Sequence, residues 1–165
     1  MILVTHGIVG ASIAIGFQSN PVLGVFLAFV SHFVLDMIPH LDYRLKSVEN
    51  SDNPLLVKII NNHHRYTDFC RVAFDGLLGL SFPLVTIYLL FGDHLYIALA
   101  GSAFAILPDF LQFVYFKTHA KLLASYAKFH TKINIRAHLY KRPVLGFVTQ
   151  FVVALISVVT VALIW

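Results

Sequence analysis

The stretch Ser31–Tyr43, SHFVLDMIPHLDY, decides how the rest of this chain is interpreted. It closes an apolar segment that begins near Pro21, and it carries two histidines and two aspartates. His32 and Asp36 are four residues apart, so their side chains share one face of a helix. The stretch therefore predicts a helix that ends in a polar, ionisable face.

The second half of this stretch leaves the helix. Pro39 cannot continue a helix, and it pushes Ile38 toward an extended conformation. We therefore expect His40 and Asp42 to lie on the exit turn and to fold back toward the ionisable pair of the helix. Two imidazoles and two carboxylates at the end of an apolar helix require a chemical or structural reason.

The composition indicates an integral membrane protein. The chain has 165 residues, of which 58% are hydrophobic and 12% are charged, and its mean hydropathy is +0.79. A soluble domain of this size needs a more polar surface. We expect a single membrane-embedded domain over residues 1–165. The single Cys70 excludes an intramolecular disulfide, and the first apolar segment lacks the features of a cleaved signal peptide.

Five apolar segments predict an all-α membrane bundle of about five helices joined by basic cytoplasmic connectors. The first segment is short for a membrane span, at about 24 Å. The last segment ends in an aromatic residue suited to the membrane interface. The segments are Ile2–Phe17, Pro21–Ile38, Asp68–Phe91, Leu95–Phe116 and Pro143–Trp165.

Smaller signals predict the boundaries between these segments. Ser19 or Asn20 should cap the second helix, with Pro21 at its first position. A short helix is expected from residue 53 or 54 to 61, within the connector 44–66. The connector 117–142 should begin with an amphipathic helix from residue 117 to about 128. Pro83 should kink the third helix.

The distribution of Lys and Arg predicts the orientation in the membrane. Both long connectors are basic, whereas the turns 18–20 and 92–94 hold no Lys or Arg. We therefore expect both connectors and the N-terminus at the cytoplasmic face of a bacterial-type inner membrane. The basic residues of the connectors are Arg44, Lys46, Lys58, Arg65, Lys117, Lys121, Lys128, Lys132, Arg136, Lys141 and Arg142.

In this topology, four of the apolar segments each carry an ionisable side chain at a similar depth near the cytoplasmic side. Carboxylates in a membrane are costly unless they are paired, so these side chains should face inward and meet. The residues concerned are His6, His32, Asp36, Asp75 and Asp109.

Few protein cations are available to neutralise these carboxylates. Arg71 lies four residues before Asp75, but segments one, two and four hold no Lys or Arg before Lys117. A divalent metal, Zn²⁺ or else Mn²⁺ or Fe²⁺, would supply the missing charge, and two or three ions could be held. The predicted ligands are His6, His32, Asp36, His40, Asp42, Asp75, Asp109 and His130, with His63 and His64 available from a loop.

Each predicted ligand also has a purely structural interpretation. His6 would be an interhelical hydrogen-bonding residue, and Asp109 would cap a helix that restarts after a proline. The other residues would form pairs along one helix: Arg71 with Asp75, and His32 with Asp36.

The pattern of these residues resembles the membrane-bound, metal-dependent-hydrolase-like proteins of bacteria, also called LexA-binding inner-membrane hydrolase-like proteins. That family is itself similar to zinc-dependent phospholipase C and related nucleases, which are all-helical phosphodiesterases with clustered His and Asp ligands. The resemblance therefore implies a metal-dependent hydrolase. It rests on Thr5-His6, His32-x-x-x-Asp36-x-x-Pro39-His40-x-Asp42, Asp75 and Leu107-Pro108-Asp109, and also on Lys128-Phe129-His130 and Thr149-Gln150.

The chain departs from the family pattern at two places. The family often carries His-Arg-x-x-Thr-His, and the nearest element here is His64-Arg65-Tyr66-Thr67-Asp68, with an aspartate for the second histidine. Related proteins also tend to have a histidine shortly after the position of His130, where this chain has Asn134.

We expect hydrolysis of a phosphate ester in a lipid or lipid-linked substrate at the cytoplasmic face. Two metals about 4 Å apart would activate water and stabilise charge on the phosphoryl oxygens. Asp36, Asp75 or Asp109 would act as general base where it is not a ligand, and Arg71 with Arg65 would bind phosphate. Anionic lipid head groups are the expected partners of the basic connectors, and no nucleic-acid partner is expected.

Two alternatives remain open at this point. In the first, the protein is not an enzyme, the polar cluster is an interhelical network, and the basic connectors bind anionic lipid or a partner. In the second, the protein is a transporter, although the outer halves of the helices offer no polar path. An enzyme requires a cluster open to the cytoplasm or inner leaflet, whereas a structural network is closed and fully paired.

Overall fold

A computed structural model describes residues 1–49, 51, 53–134, 139 and 142–164 of the chain. This part of the chain holds six α-helices and one two-stranded sheet, so the all-α prediction is confirmed. The helices are α1 (Leu3–Gly16), α2 (Pro21–Asp36), α3 (Arg65–Phe91), α4 (Leu95–Thr118), α5 (Lys121–Asn134) and α6 (Pro143–Ile164).

Three of these helices are long and apolar enough to cross a membrane: α3, α4 and α6. The other two apolar helices, α1 and α2, are shorter, so a bundle of five membrane spans is not confirmed. Helix α3 continues through Pro83, and α4 continues through Pro108. The predicted aromatic anchor Trp165 and the basic residues Arg136 and Lys141 lie outside the described residues.

The boundaries of α2 follow from local side-chain chemistry. The Asn20 side chain accepts a hydrogen bond from the Leu23 amide at 3.3 Å, and Pro21 is the first helical residue, as predicted. The helix ends at Asp36, so the chain has left it before Pro39. The capping residue and the helix-breaking proline were both readable from the sequence.

The prediction for the start of α5 is wrong. Helix α4 extends to Thr118, and it therefore includes Lys117. The chain then turns at His119, whose φ of +50° is left-handed, and α5 runs from Lys121 to Asn134. A left-handed residue ends an α-helix, and this conformation is uncommon for residues other than glycine, so it was not predicted at His119.

The predicted helix from residue 53 or 54 to 61 is also wrong. A single 3₁₀ turn covers Pro54–Leu56, after which the chain becomes extended. Strand β1 (Val48–Glu49) then pairs antiparallel with β2 (Lys58–Ile59). The extended segment is rich in β-branched residues, which favour a strand over a helix.

Helix α1 lies at the centre of the bundle. Eleven of its fourteen residues are buried, and it packs against α2, α3, α4 and α6. Close approach of the backbones is possible because glycines lie at the contacts: Gly7 faces Gly79 of α3, and Gly10 faces Gly101 of α4. Small residues at helix interfaces allow this kind of packing in membranes. Because α1 is enclosed by other helices, its sequence is largely apolar around the whole helix.

This central packing predicts the effect of adding one methyl group to α1. In Gly10→Ala, the new Cβ would lie 2.5 Å from the Gly101 carbonyl oxygen, against backbone that cannot move independently. We expect the free energy of unfolding to fall by about 1–3 kcal/mol, measured by denaturant titration in detergent. Gly76→Ala is the matched control, because its Cβ would meet only Leu3 Cδ1 at 3.6 Å. Equal stability of the two variants would contradict the close packing of α1 and α4.

Candidate metal centre

Four side chains from three helices converge at one end of the bundle: His32 and Asp36 from α2, Asp109 from α4, and His130 from α5. Each offers one ligand atom, and these atoms all lie within 4.8 Å of one another. His32, Asp36 and His130 are fully buried, whereas the Asp109 side chain is 25% exposed. Of these four side chains, that of Asp109 is the one in partial contact with solvent in the described structure.

The distances within this group suit a single divalent cation. Ligand atoms bound tetrahedrally at 2.0–2.1 Å from zinc lie about 3.3–3.4 Å from one another. The histidine-to-carboxylate distances bracket this value. They are 3.3 Å for His32 Nε2–Asp36 Oδ2, 3.6 Å for His130 Nε2–Asp36 Oδ2, 3.7 Å for His32 Nε2–Asp109 Oδ1 and 3.5 Å for His130 Nε2–Asp109 Oδ1. The two histidine Nε2 atoms are closer together, at 2.8 Å.

Hydrogen bonding orients the ring of His32 toward the centre of this group. Its Nδ1 donates to the Ala105 carbonyl oxygen at 2.7 Å, so Nε2 is the nitrogen that faces the other three side chains. Burial, together with the neighbouring His32, lowers the pKa of His130 to about 4, so this ring is neutral at pH 7. Asp36 Oδ2 is buried without a hydrogen-bond donor among the described residues. Imidazole nitrogens and carboxylate oxygens that face one another in this way are possible ligands of a divalent cation.

The second oxygen of Asp36 faces a different set of groups. Asp36 Oδ1 lies 3.1 Å from the Met1 ammonium and 3.3 Å from His6 Nε2. The His6 ring is fully buried and stacks on the His32 ring, with their centroids 4.1 Å apart. Neither ring nitrogen of His6 has a hydrogen-bond partner within the described part of the chain. Asp36 therefore lies between two groups of polar atoms.

His40 and Asp42 fold back to this second group, as their place after Pro39 predicted. His40 is fully buried, and its Nδ1 donates to the Ile38 carbonyl oxygen at 2.7 Å. Its Nε2 lies 2.8 Å from the Met1 nitrogen, and Asp42 Oδ2 lies 3.9 Å from the same atom. Burial and the Met1 ammonium lower the pKa of His40, which favours its neutral ring.

Helix α6 holds the turn that carries His40 and Asp42. Thr149 Oγ1 donates to the Pro39 carbonyl oxygen at 2.9 Å, and Gln150 Nε2 donates to the Leu41 carbonyl oxygen at 2.9 Å. Gln150 Oε1 also accepts from the Ile2 amide at 3.0 Å. Gln150 was not predicted as a site residue, although it is a buried amide within an otherwise apolar helix.

Asp75 does not belong to the group of four. Its carboxylate accepts hydrogen bonds from the Leu3 amide at 2.9 Å and the Val4 amide at 3.2 Å, so it caps the start of α1. The amides at a helix N-terminus carry partial positive charge and compensate a carboxylate. Arg71 instead lies 4.0 Å from Asp68 Oδ1 and is half exposed, so its expected pairing with Asp75 is not found. The predicted catalytic roles of Asp75 and Arg71 remain predictions.

The structure also places the other candidate residues. Asp109 lies inside the continuous helix α4 and caps no restarted helix. Asp68, at the position where the family pattern has a histidine, accepts a hydrogen bond from the Ser47 amide at 2.7 Å. His63 and His64 contact each other, with ring centroids 3.8 Å apart, and neither belongs to the group of four.

Comparisons with known proteins do not assign a family to this chain. No protein-family model, no curated protein and no solved structure matches it. The arguments that follow therefore rest on the geometry of the described residues.

The contacts of Gln150 predict its effect on stability. Gln150→Leu leaves the Ile2 amide and the Leu41 carbonyl without this partner, and unpaired buried polar groups are destabilising. We expect the free energy of unfolding to fall by about 1–3 kcal/mol, measured by denaturant titration in detergent. Gln112→Leu is the matched control, because among the described residues Gln112 donates one hydrogen bond, to Thr131 Oγ1, in a partly buried position. If Gln150→Leu lowers the free energy of unfolding no more than Gln112→Leu does, Gln150 does not help α6 to hold the turn that carries His40 and Asp42.

Proposed function

We propose that this chain is a membrane-bound, metal-dependent phosphoester hydrolase that acts on a lipid or lipid-linked substrate at the cytoplasmic face. The observation that carries the proposal is the convergence of two buried imidazoles and a buried carboxylate beside a partly exposed carboxylate. The first three groups suit a cation, and the fourth suits proton transfer.

His32, Asp36 and His130 are the proposed ligands. Catalytic zinc sites use three protein ligands, such as two imidazoles and one carboxylate, and keep a fourth position open. The complete burial of these three side chains matches that use. A bound divalent cation would act as a Lewis acid toward a phosphoryl oxygen and would lower the pKa of water.

Asp109 is the proposed general base. Its carboxylate lies 3.5 and 3.7 Å from the Nε2 atoms of His130 and His32, and its partial exposure gives access to water and substrate. A carboxylate in this position can accept the proton of an attacking water. Asp36 suits this role less well, because it is completely buried and both of its oxygens face other site groups.

The depth of the centre supports a lipid substrate. From the level of the centre to their opposite ends, α1 and α2 run about 21 and 24 Å. The hydrocarbon core of a bilayer is about 30 Å thick. If the opposite ends reach the outer boundary of this core, the centre lies about 6–9 Å inside the inner boundary, in the part of the core next to the inner head groups.

The charge of α5 supports the same substrate class. This helix carries His130, and its Lys121, Lys128 and Lys132 are exposed. It contains no acidic residue. Basic residues at the cytoplasmic leaflet attract anionic lipid, each by about 1 kcal/mol. An anionic head group would therefore be concentrated beside the proposed ligands.

A structural network is the alternative function, and one observation favours it. The Met1 ammonium already pairs with Asp36, so part of the buried negative charge has a protein partner. In that case the purified protein would bind no divalent metal. The following experiment separates the two functions.

The proposed roles of Asp36 and Asp109 predict different losses. Asp109→Asn should keep the metal content of the wild type but lower hydrolysis of bis(p-nitrophenyl) phosphate by about 10²–10⁴-fold, since only the base is removed. Asp36→Asn, and the double variant His32→Ala with Asp36→Ala, should lose both metal and hydrolysis. Metal is measured by elemental analysis of the purified full chain.

Asp93→Asn is the matched control, because Asp93 is exposed in the turn between α3 and α4, and it should change neither quantity. Wild-type protein without divalent metal would end the proposal. If Asp109→Asn hydrolyses bis(p-nitrophenyl) phosphate as fast as the wild type does, Asp109 is not the general base.

The proposed orientation predicts the labelling of single cysteines. In a Cys70→Ser background, an impermeant maleimide added to intact cells should label Asp93→Cys, in the turn opposite the basic connectors. Ser51→Cys, which is exposed in the connector 44–66, should react only after the inner membrane is permeabilised. If Ser51→Cys is labelled in intact cells and Asp93→Cys reacts only after permeabilisation, the orientation is the opposite one and the centre lies at the outer leaflet.

A further inference from the structure

The ring of His130 is held differently from those of His32 and His40. His32 Nδ1 donates to the Ala105 carbonyl oxygen, and His40 Nδ1 donates to the Ile38 carbonyl oxygen. His130 Nδ1 is buried, and it has no hydrogen-bond partner among the described residues. A histidine that binds a metal through Nε2 is usually oriented by a hydrogen bond at Nδ1. The orientation of His130 therefore depends on other contacts.

The helix that carries His130 also makes its position separately adjustable. Helices α2 and α4 pack against each other and against α1, so His32, Asp36 and Asp109 keep their places without α5. Helix α5 supplies His130 alone to the group of four. The place of this ligand is thus set by the way α5 lies on α4 and α2.

Aromatic side chains of α2 and α5 surround the His130 ring. The Phe33 ring meets it edge-on, with the centroids 5.9 Å apart, and the Tyr126 ring lies at the same distance, tilted by 30°. The His32 ring stacks on His130 at 5.1 Å. Aromatic pairs at these distances attract one another and prefer defined orientations. Packing therefore restricts this ring where no hydrogen bond does so.

Tyr126 also joins α5 to the part of α4 that carries Asp109. Its hydroxyl donates to the Pro108 carbonyl oxygen at 2.6 Å, and Pro108 directly precedes Asp109. Tyr126 lies four residues before His130, so the two side chains share one face of α5. One side chain thus contacts the His130 ring and fixes α5 beside Asp109.

We propose that Tyr126 is a positioning residue of the metal centre, because its ring and its bond to Pro108 hold the His130 imidazole against the other ligands. The relevant separations are those of His130 Nε2 from Asp36 Oδ2, 3.6 Å, and from Asp109 Oδ1, 3.5 Å. Tyr126 acts through His130 and is not itself a ligand. This inference rests on the proposed function, because it presumes a cation bound by His130.

The experiment compares metal affinity in variants that each lose one hydroxyl group. Tyr126→Phe keeps the ring but loses the bond to Pro108. We expect its dissociation constants for Zn²⁺ and Co²⁺ to rise about 10–100-fold, the usual cost of removing a group that orients a metal ligand. The constants are measured on the purified full chain by competition with a chromophoric chelator.

Tyr115→Phe is the matched control, and it should bind both ions as the wild type does. The Tyr115 hydroxyl also donates to a backbone carbonyl, that of Leu55, at 3.2 Å, but Tyr115 does not belong to the group of four. Its loss therefore reports the general effect of removing a tyrosine hydroxyl from this bundle.

The visible absorption of bound Co²⁺ shows whether the ligands themselves are disturbed. At saturating Co²⁺, the absorption per bound ion should be weaker in Tyr126→Phe than in the wild type, because water replaces an imidazole that is no longer held in place. A substitution that only lowers the stability of the fold leaves the spectrum of the folded protein unchanged.

Equal affinities and identical spectra in the wild type and Tyr126→Phe would overturn the positioning role and leave the proposed function standing. Weaker affinity with an unchanged spectrum, or an equal loss of affinity in Tyr115→Phe, would overturn the role as well, since the effect would then not come from the ligands. A wild-type protein that binds neither ion would overturn both the positioning role and the proposed function.

Discussion

The burial of the Asp36 carboxylate is the constraint on which the rest of the site depends. A carboxylate removed from water needs close positive charge or several donors, and the surrounding helices are largely apolar. The structure surrounds Asp36 with imidazoles from three helices and with the Met1 ammonium. Each of these four groups is either cationic or able to share a cation with Asp36. The negative charge of Asp36 is thus compensated by the groups of the polar centre.

Close packing around α1 brings the partners of Asp36 to the same level. Glycines at the contacts with α3 and α4 allow the backbones to approach, and these contacts set the height of Asp75 and Asp109 relative to the start of α1. Asp75 and Gln150 then bind the first amides of α1 from two other helices. The same packing that buries α1 thus assembles the centre at its end.

Much of this arrangement could be predicted from the sequence, because it follows from spacing and local chemistry. The i,i+4 pair of His32 and Asp36, the helix end before Pro39 and the return of His40 are consequences of one short stretch. The apolar segments also predicted α1, α2, α3, α4 and α6, but not the bounds of α5. The roles of Asp75 and Gln150 could not be predicted, because they depend on which helices pack together. Asp75 lies four residues from Arg71, yet the start of α1 provides its partners.

The connectors were less predictable for a related reason. Between the apolar segments, the chain adopts a left-handed turn at His119 and a two-stranded pairing, and both are decided by contacts beyond the immediate neighbours. Tyr115, for example, donates from its hydroxyl to the Leu55 carbonyl oxygen at 3.2 Å and so ties α4 to the 3₁₀ turn. The secondary-structure propensities of neighbouring residues do not indicate such contacts.

The enclosure of α1 has a consequence for how this bundle would fit a bilayer. A lipid-facing helix must match the hydrocarbon thickness or deform the membrane around it. Helix α1 is almost wholly buried among the other helices, so in a bilayer its short length would bring no such penalty, and only the longer helices around it would need to match the thickness. A chain of this design should thus tolerate bilayers of different thickness without disturbing the innermost helix or the polar groups gathered at its start.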